Sequence, residues 1–203
     1  MLSKKNIIIK RLFDILAAGG GLIILSPFLL LISLAIKVSD FRSPVFFRQK
    51  RIGQYGVPFY IIKFTTMVSD AFNEEKGNYI TIANDPRFTT LGLFLNRYKL
   101  NELPQLWNVL KGQMSFVGPR PDVEGYADRL TGDDRKILSL KPGLTGPATL
   151  KYRNEEELLA QQADPLTYNN EVIWPDKVKI NLKYLEEQSL LTDLKYIFRT
   201  IFH

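Results

Sequence analysis

An almost unbroken apolar run, Ile15–Ile36, constrains this chain more than any other stretch. As a straight helix at about 1.5 Å per residue it reaches about 33 Å, enough to span a hydrocarbon core of about 30 Å. Its interruptions are Gly19, Gly20, Gly21, Ser26 and Pro27. The run is too long for a secretory signal peptide and lacks a convincing small-residue cleavage site after it. Two membrane readings remain: a single crossing, and a helix that dips in and returns. Lys4, Lys5, Lys10 and Arg11 precede the run, while Lys37, Arg42, Arg48, Lys50 and Arg51 follow it. Positive residues favour the cytoplasmic side, so a crossing puts one cluster on the wrong side, and the charges favour the return. Pro27 removes one helical hydrogen bond and sets a kink. Ser26 is placed to satisfy the carbonyl that this frees. Asp14, at the foot of the run, either pairs with Arg11 or Lys10 or takes a simple interfacial position.

With 203 residues the chain is long enough for one domain with a buried core. Apolar residues at 45% and charged residues at 24% make it globular rather than disordered. There is no cysteine, and the one histidine is His203. Disulfides, thiol catalysis, thiolate metal sites and histidine triads are excluded on that ground. Catalysis falls to carboxylates, amides, lysine, arginine, hydroxyls or a bound metal. The net charge of +6 suits anionic partners. No nucleic-acid recognition motif accompanies it.

After the apolar run the pattern changes. Val45–Phe47 and Pro58–Phe64 are rich in β-branched and aromatic residues around Gly53 and Gly56, which predicts a β-hairpin. Ser69–Phe88 is polar and reads as an excursion or short helix. Leu91–Arg97 reads as a helix capped by Thr89 or Thr90. Glu102–Lys111 reads as a second helix, with Leu103, Leu106, Trp107 and Leu110 on one face and Gly112 closing it. Further helices are expected around Asp133–Leu138, over Asn154–Gln162, and from Pro175 to about Gln188. Lys141-Pro142-Gly143 is a turn expected near the active face, and Asp164–Pro175 reads as irregular. In the tail, Leu191, Leu194, Ile197, Phe198, Ile201 and Phe202 form an apolar stripe. It suits either an interfacial amphipathic helix or packing into the core.

The chemistry concentrates in Tyr98–Pro121. Asn101 fits an N-cap, with Glu102 as first helical residue and Pro104 in the first turn, where no intrahelical bond is lost. A carboxylate there gains from the positive end of the helix dipole, and so does a bound phosphate. The arrangement suits a magnesium ion shared between Glu102 and substrate oxygens; an ordinary cap beside a favourable first-turn charge explains the same residues. In Gly118-Pro119-Arg120-Pro121, two prolines restrict the backbone around one guanidinium, which matches phosphate oxygens with a bidentate fork.

LNELPQLWNVLKGQMSFVGPRP resembles the signature of the bacterial sugar transferases, the monotopic phosphoglycosyl transferases of glycoconjugate assembly. The resemblance extends over nearly the whole chain. KRLFDILAAGGGLIILSPFLLL is similar to their re-entrant membrane helix with its Ser26-Pro27 break, PVFFRQKRIGQYGVPFYIIKFTTM to the basic segment that follows, and LKPGLTG to a later loop. The resemblance implies transfer of a phosphosugar from a nucleoside-diphosphate sugar, usually a UDP-sugar, to a polyprenol phosphate such as undecaprenyl phosphate. It implies magnesium, an Asp-Glu pair and a ping-pong route through a phosphosugar-enzyme intermediate. The pair falls on Asn101-Glu102 here, and a carboxamide is not a competent nucleophile for that step. A second acidic position of the family pattern is Gln113. A chain altered to block the covalent step, a natural variant in which Glu102 or another group attacks, and a protein with lost activity all remain open. Asp193 resembles a family aspartate.

The expected fold is mostly α with a small β-hairpin (α+β). Residues 1–42 form a basic N-terminus and re-entrant helix, and residues 43–203 a compact cytoplasmic catalytic domain with interfacial amphipathic helices. Lys63, Arg120, Arg51 and Arg97 are the expected phosphate-binding residues, with Asn101 and Glu102 catalytic, Glu102 the metal ligand, and Ser26 and Pro27 the membrane break. The expected location is the cytoplasmic face of the bacterial inner membrane. Partners are the two substrates, membrane lipid and other glycoconjugate-assembly enzymes, without nucleic acid. The alternative is a non-catalytic member that binds polyprenol phosphate or scaffolds partner enzymes.

Overall fold

The computed structural model describes residues 4–68 and 86–202, so most of the polar segment expected over 69–88 lies outside the described residues. The first element is one long helix, α1 (Lys4–Ser39), with Pro27 inside it. Its stretch Asn6–Ser39 is long and apolar enough to cross a membrane. Pro27 has no N–H for the carbonyl of Ile23 four residues back. The Ser26 hydroxyl donates to that same carbonyl at 2.7 Å, so the helix continues through the proline.

One face of α1 is docked along its length. Ala18, Leu22 and Leu25 pack into a core with Phe59, Ile61, Leu106, Val109 and Met114. Beyond Pro27, Leu29, Ile32 and Ile36 join a second core with Phe64 and Leu95. The opposite face leaves Ile23, Ile24, Leu30, Leu31 and Val38 exposed. Polar contacts fix the first half. Arg11 donates to the carbonyls of Val109 and Leu110 at 2.7 and 2.8 Å. Lys10 forms a buried ion pair with Asp193 and donates to the Val117 carbonyl at 3.2 Å. Asp14 is buried and pairs with neither cation: it accepts from Ser115 Oγ and Phe116 N, both at 3.1 Å. Those two donors need an acceptor, while Lys10 and Arg11 find theirs elsewhere.

Strands β1 (Phe46–Ile52) and β2 (Pro58–Phe64) form an antiparallel hairpin, in register from Phe46 opposite Phe64 to Ile52 opposite Pro58. The second strand matches the expectation; the first runs farther than Phe47. Its alternation is carried by Arg48 and Lys50 on the exposed face and Gln49 and Arg51 on the inner one, so it carries little apolar signal. Helix α2 (Thr90–Arg97) starts as expected, with Thr89 Oγ1 accepting from Gly92 N at 2.9 Å.

The expected single helix from Glu102 is replaced by two pieces. Lys99 turns the chain at φ 55°, a 3-10 turn covers Leu100–Gln105, and α3 spans Leu106–Lys111. Asn101 therefore lies inside the turn and makes no cap. Pro104 has no N–H for the carbonyl four residues back, which delays the α pattern until after it. Gly112 closes α3 at φ 82°, as expected for a C′ residue.

Two three-residue strands, β3 (Ser115–Val117) and β4 (Gly143–Thr145), pair in parallel. Both are too short to register in the sequence pattern. Backbones meet closely here: a Cβ on Gly118 would stand 2.1 Å from the Lys141 carbonyl oxygen. The turn at Lys141–Gly143 thereby backs the Pro119–Arg120 segment, and Gly143 N donates to the Pro119 carbonyl at 2.7 Å.

The rest is helical: 3-10 turns at Ala127–Arg129 and Asp134–Ser139, then α4 (Pro147–Lys151) and α5 (Glu155–Ala160). The segment expected to be irregular is ordered. Asp164 caps α6 (Pro165–Tyr168) by accepting from Leu166 N and Thr167 N, both at 3.1 Å. A π turn at Asn169–Ile173 then leads without a break into α7 (Trp174–Glu187). The wider turn falls just before Pro175, which could not have donated the ordinary bond. Helix α8 (Leu190–Phe202) splits its stripe. Ile197 packs with Val117, Leu140 and Tyr184, while Leu191, Phe198, Ile201 and Phe202 stay exposed.

Candidate active site

The inner face of the hairpin points Lys63 and Arg51 toward the turn that carries Glu102. Lys63 Nζ donates to Glu102 Oε1 at 2.9 Å. Arg120 Nη2 reaches the same oxygen at 2.6 Å, and its Nη1 reaches Oε2 at 3.4 Å. Arg51 comes alongside, donating to the Pro121 carbonyl at 3.2 Å and to Gln49 Oε1 at 2.5 Å. Arg51 Nε is buried with no partner among the described residues. Between Arg51, Lys63, Gln105, Arg120 and Pro121 lies a cavity of about 10 Å³. Arg120 keeps 41% of its side chain exposed, against 16% for Lys63, so it is the more accessible of the two cations.

Electrostatics follow from this crowding. Burial alone raises a carboxyl, but the charges and hydrogen bonds of Arg120 and Lys63 outweigh it and hold Glu102 well below its ordinary range. Burial, with Arg120 and Arg51 nearby and only Glu102 opposing, lowers the Lys63 ammonium to about 8. Burial and the Arg120 charge lower Arg51 to about 10. Arg120 itself is raised, chiefly by Glu102. Three cations thus crowd around the Glu102 carboxylate, with the Asp122 carboxyl close to Arg51 and Arg120.

Asn101 is buried beside this cluster; its Nδ2 donates to Asn96 Oδ1 at 3.4 Å. Its Oδ1 has no partner among the described residues. Asn96 in turn donates to Glu156 Oε2 at 3.3 Å, so a chain of amides links Asn101 to α5. Among the described residues no three acidic groups cluster to hold a metal. The unpartnered Asn101 Oδ1 and the neighbouring Glu102 carboxylate are hard oxygen donors of the type that magnesium takes.

Of the residues singled out from sequence, the structure brings together Asn101, Glu102, Lys63, Arg120 and Arg51. Arg97 is exposed in the last turn of α2, outside the set that bonds Glu102. Ser26 and Pro27 lie in α1. Sequence reasoning missed Asp122, whose carboxyl is raised to about 6 by burial, against the opposing charges of Lys177, Arg51 and Arg120. An acid two residues from Arg120 was the available signal. Asn96 and Glu156 gave none, because only the folded chain brings them to Asn101.

The chain belongs to the bacterial sugar transferase family, whose profile matches residues 5–203. The likeness read from the motifs is thus borne out at the family level. It is 35% identical to the exopolysaccharide production protein ExoY of Rhizobium meliloti, over 95% of this chain and 83% of that protein. It is 34% identical to the uncharacterized sugar transferase EpsL of Bacillus subtilis, over 96% of this chain and 86% of that one. The UDP-glucose:undecaprenyl-phosphate glucose-1-phosphate transferase of Escherichia coli is 37% identical over 99% of this chain, which covers 41% of that protein.

Proposed function

We propose that this chain is built to move a sugar 1-phosphate from a nucleoside-diphosphate sugar, in the first instance a UDP-sugar, to a polyprenol phosphate such as undecaprenyl phosphate. The observation that carries the reading is the Glu102 carboxylate clasped by Lys63 and Arg120, with Arg51 alongside. An arriving diphosphate competes with Glu102 for these cations, and each bond it gains is charge-assisted. Arg120 and Lys63 would hold the transferring phosphoryl group and stabilise the charge that develops on it. Glu102 and Asn101 Oδ1 would hold magnesium, whose contribution when bound is to neutralise phosphate charge. The names of relatives such as the Escherichia coli transferase favour these two substrates.

The helix α1 supports a location at the membrane surface. Lys10, Arg11 and Asp14 before Pro27, and Ile32 and Ile36 after it, all dock on the same domain. A helix held at both ends by one body suits entry and return through the same leaflet, with the domain on the cytoplasmic face.

Asn101 favours a second reading. A carboxamide carries no anionic oxygen to attack phosphorus, so the chain would bind its ligands without turning them over, as a non-catalytic member. One assay separates the two: release of UMP from a panel of UDP-sugars, with undecaprenyl phosphate and magnesium, by this chain and by its Asn101→Asp and Glu102→Ala variants. We expect Asn101→Asp to raise release, and Glu102→Ala to lower it by about 10²–10³-fold in either background. Silence of all three across the panel would sink the transferase reading and leave the non-catalytic one.

A further inference from the structure

Beside the cationic cavity the fold builds a larger recess. An open cleft of about 430 Å³ is lined by Gly125, Tyr126, Arg129, Leu130, Asn170 and Trp174. The rings of Tyr126 and Trp174 meet edge to face at its wall, 5.3 Å between centroids. The Tyr126 hydroxyl donates to Asn170 Oδ1 at 2.8 Å and accepts from Asn169 Nδ2 at 3.2 Å. This occupies the acceptor of the Asn170 carboxamide and leaves its Nδ2 to donate. Arg129 is exposed at the rim and adds further donors. Gly125, at φ 101°, keeps the wall bare between them; a Cβ there would come within 3.9 Å of the Arg129 guanidinium. The cleft therefore offers aromatic walls and hydrogen-bond donors. That combination accepts a flat ring bearing carbonyl oxygens.

Its position matters as much as its lining. Trp174 and Leu130 pack with Ile52 and Ala127, and the residue before Ile52 is Arg51, which lines the cationic cavity. Ile52 N donates to the Asp122 carbonyl at 2.9 Å, tying the strand to the segment between the two recesses. Pro121 lines one and Gly125 the other. Four residues of fully extended chain span at most about 14 Å, so the two recesses lie within reach of a single nucleotide.

We propose that the cleft walled by Tyr126 and Trp174 receives the nucleobase of the donor, a carbonyl-bearing base such as uracil, while the diphosphate lies against Arg51, Lys63 and Arg120. The inference rests on the nucleotide-sugar reading above and assigns that donor its orientation. Asn170 and Arg129 are then specificity residues, distinct from those that hold phosphate.

The test is titration calorimetry on the full chain in lipid nanodiscs, with UMP, AMP and inorganic pyrophosphate as probes. Asn170→Ala and Arg129→Ala alter exposed side chains, and Tyr126→Phe removes the hydroxyl that sets the amide. We expect wild type to prefer UMP to AMP. Each of the first two variants should weaken UMP by about 5–10-fold, the loss of one hydrogen bond, with pyrophosphate affinity within about twofold of wild type. The preference over AMP should shrink in all three. Unchanged UMP affinity in all three variants would overturn the assignment. A parallel loss of pyrophosphate would do the same, since the cleft would then be part of the phosphate site. A changed preference between UDP-sugars with unchanged UMP binding would place the sugar there instead. If UMP release stands while UMP affinity ignores these residues, the cleft assignment alone falls. If wild type binds neither UMP nor pyrophosphate, the nucleotide-sugar reading falls with it.

Discussion

Lys63 shows how a single side chain can pull binding and stability in opposite directions. Its folded value of about 8 lies below the ordinary 10.5, because burial disfavours the ammonium more than Glu102 favours it. Below about pH 8 the folded protein carries the charge at a cost. Between about 8 and 10.5 the unfolded chain binds more protons than the folded one, so stability gains from this residue as pH rises through that window. Phosphate binding as proposed above needs the charged form. We therefore expect kcat/KM for the donor to fall above about pH 8, since that ratio reports the free enzyme, while the folding contribution of Lys63 improves. Lys63→Arg, charged throughout, should flatten the pH profile. A decline that persists unchanged in this variant would assign the titration elsewhere. The residues that touch Glu102 were legible in sequence because they sit in motifs whose types declare their chemistry. Asp122 was not, since its raised carboxyl comes from burial, which composition does not show.

At the scale of elements, local signal decided what could be read. The strand β2 is a nearly continuous aromatic and β-branched run and was bounded correctly, whereas β1 hides its alternation behind Arg48, Lys50 and Arg51. Thr89 was readable as a cap because its bond is local, to Gly92. Asn101 looked the same and is not a cap, because Lys99 and Pro104 shape the turn around it. The pair β3–β4 depends on backbones more than twenty residues apart and left no trace. That pair carries a prediction of its own. In Gly118→Ala the new methyl would meet the Lys141 carbonyl at 2.1 Å, with backbone on both sides and no flexible side chain to yield. We expect a loss of about 2–4 kcal/mol, in the range of core overpacking and backbone strain. A fall in thermal midpoint should come with weaker donor binding, because Arg120 is two residues away. A midpoint within about a degree of wild type would show that the two strands can slide apart freely.

For the whole molecule, the returning helix proposed above puts both ends of α1 on one side of the membrane. Its outward face exposes Ile23, Ile24, Leu30 and Leu31, and α8 exposes Phe198, Ile201 and Phe202. The chain has no cysteine, so single cysteines at Lys5 and Arg42 report cleanly in membrane vesicles. With both ends of the helix on the domain side, an impermeant reagent should label the two sites from the same side. Labelling from opposite sides would exclude the returning helix and require a crossing.

The ion pair between Lys10 and Asp193 sets an order in time as well as in space. Its partners are 183 residues apart, and Asp193 is nearly sealed from solvent once folded. At a synthesis rate of about 5–20 residues per second, Lys10 leaves the ribosome roughly 10–40 seconds before its partner exists. The apolar helix is therefore made long before the carboxylate that pairs with its Lys10. Arg11 and Asp14 find their partners among residues 109–116, so the foot of α1 is first held there and gains the Lys10–Asp193 pair only when α8 has emerged.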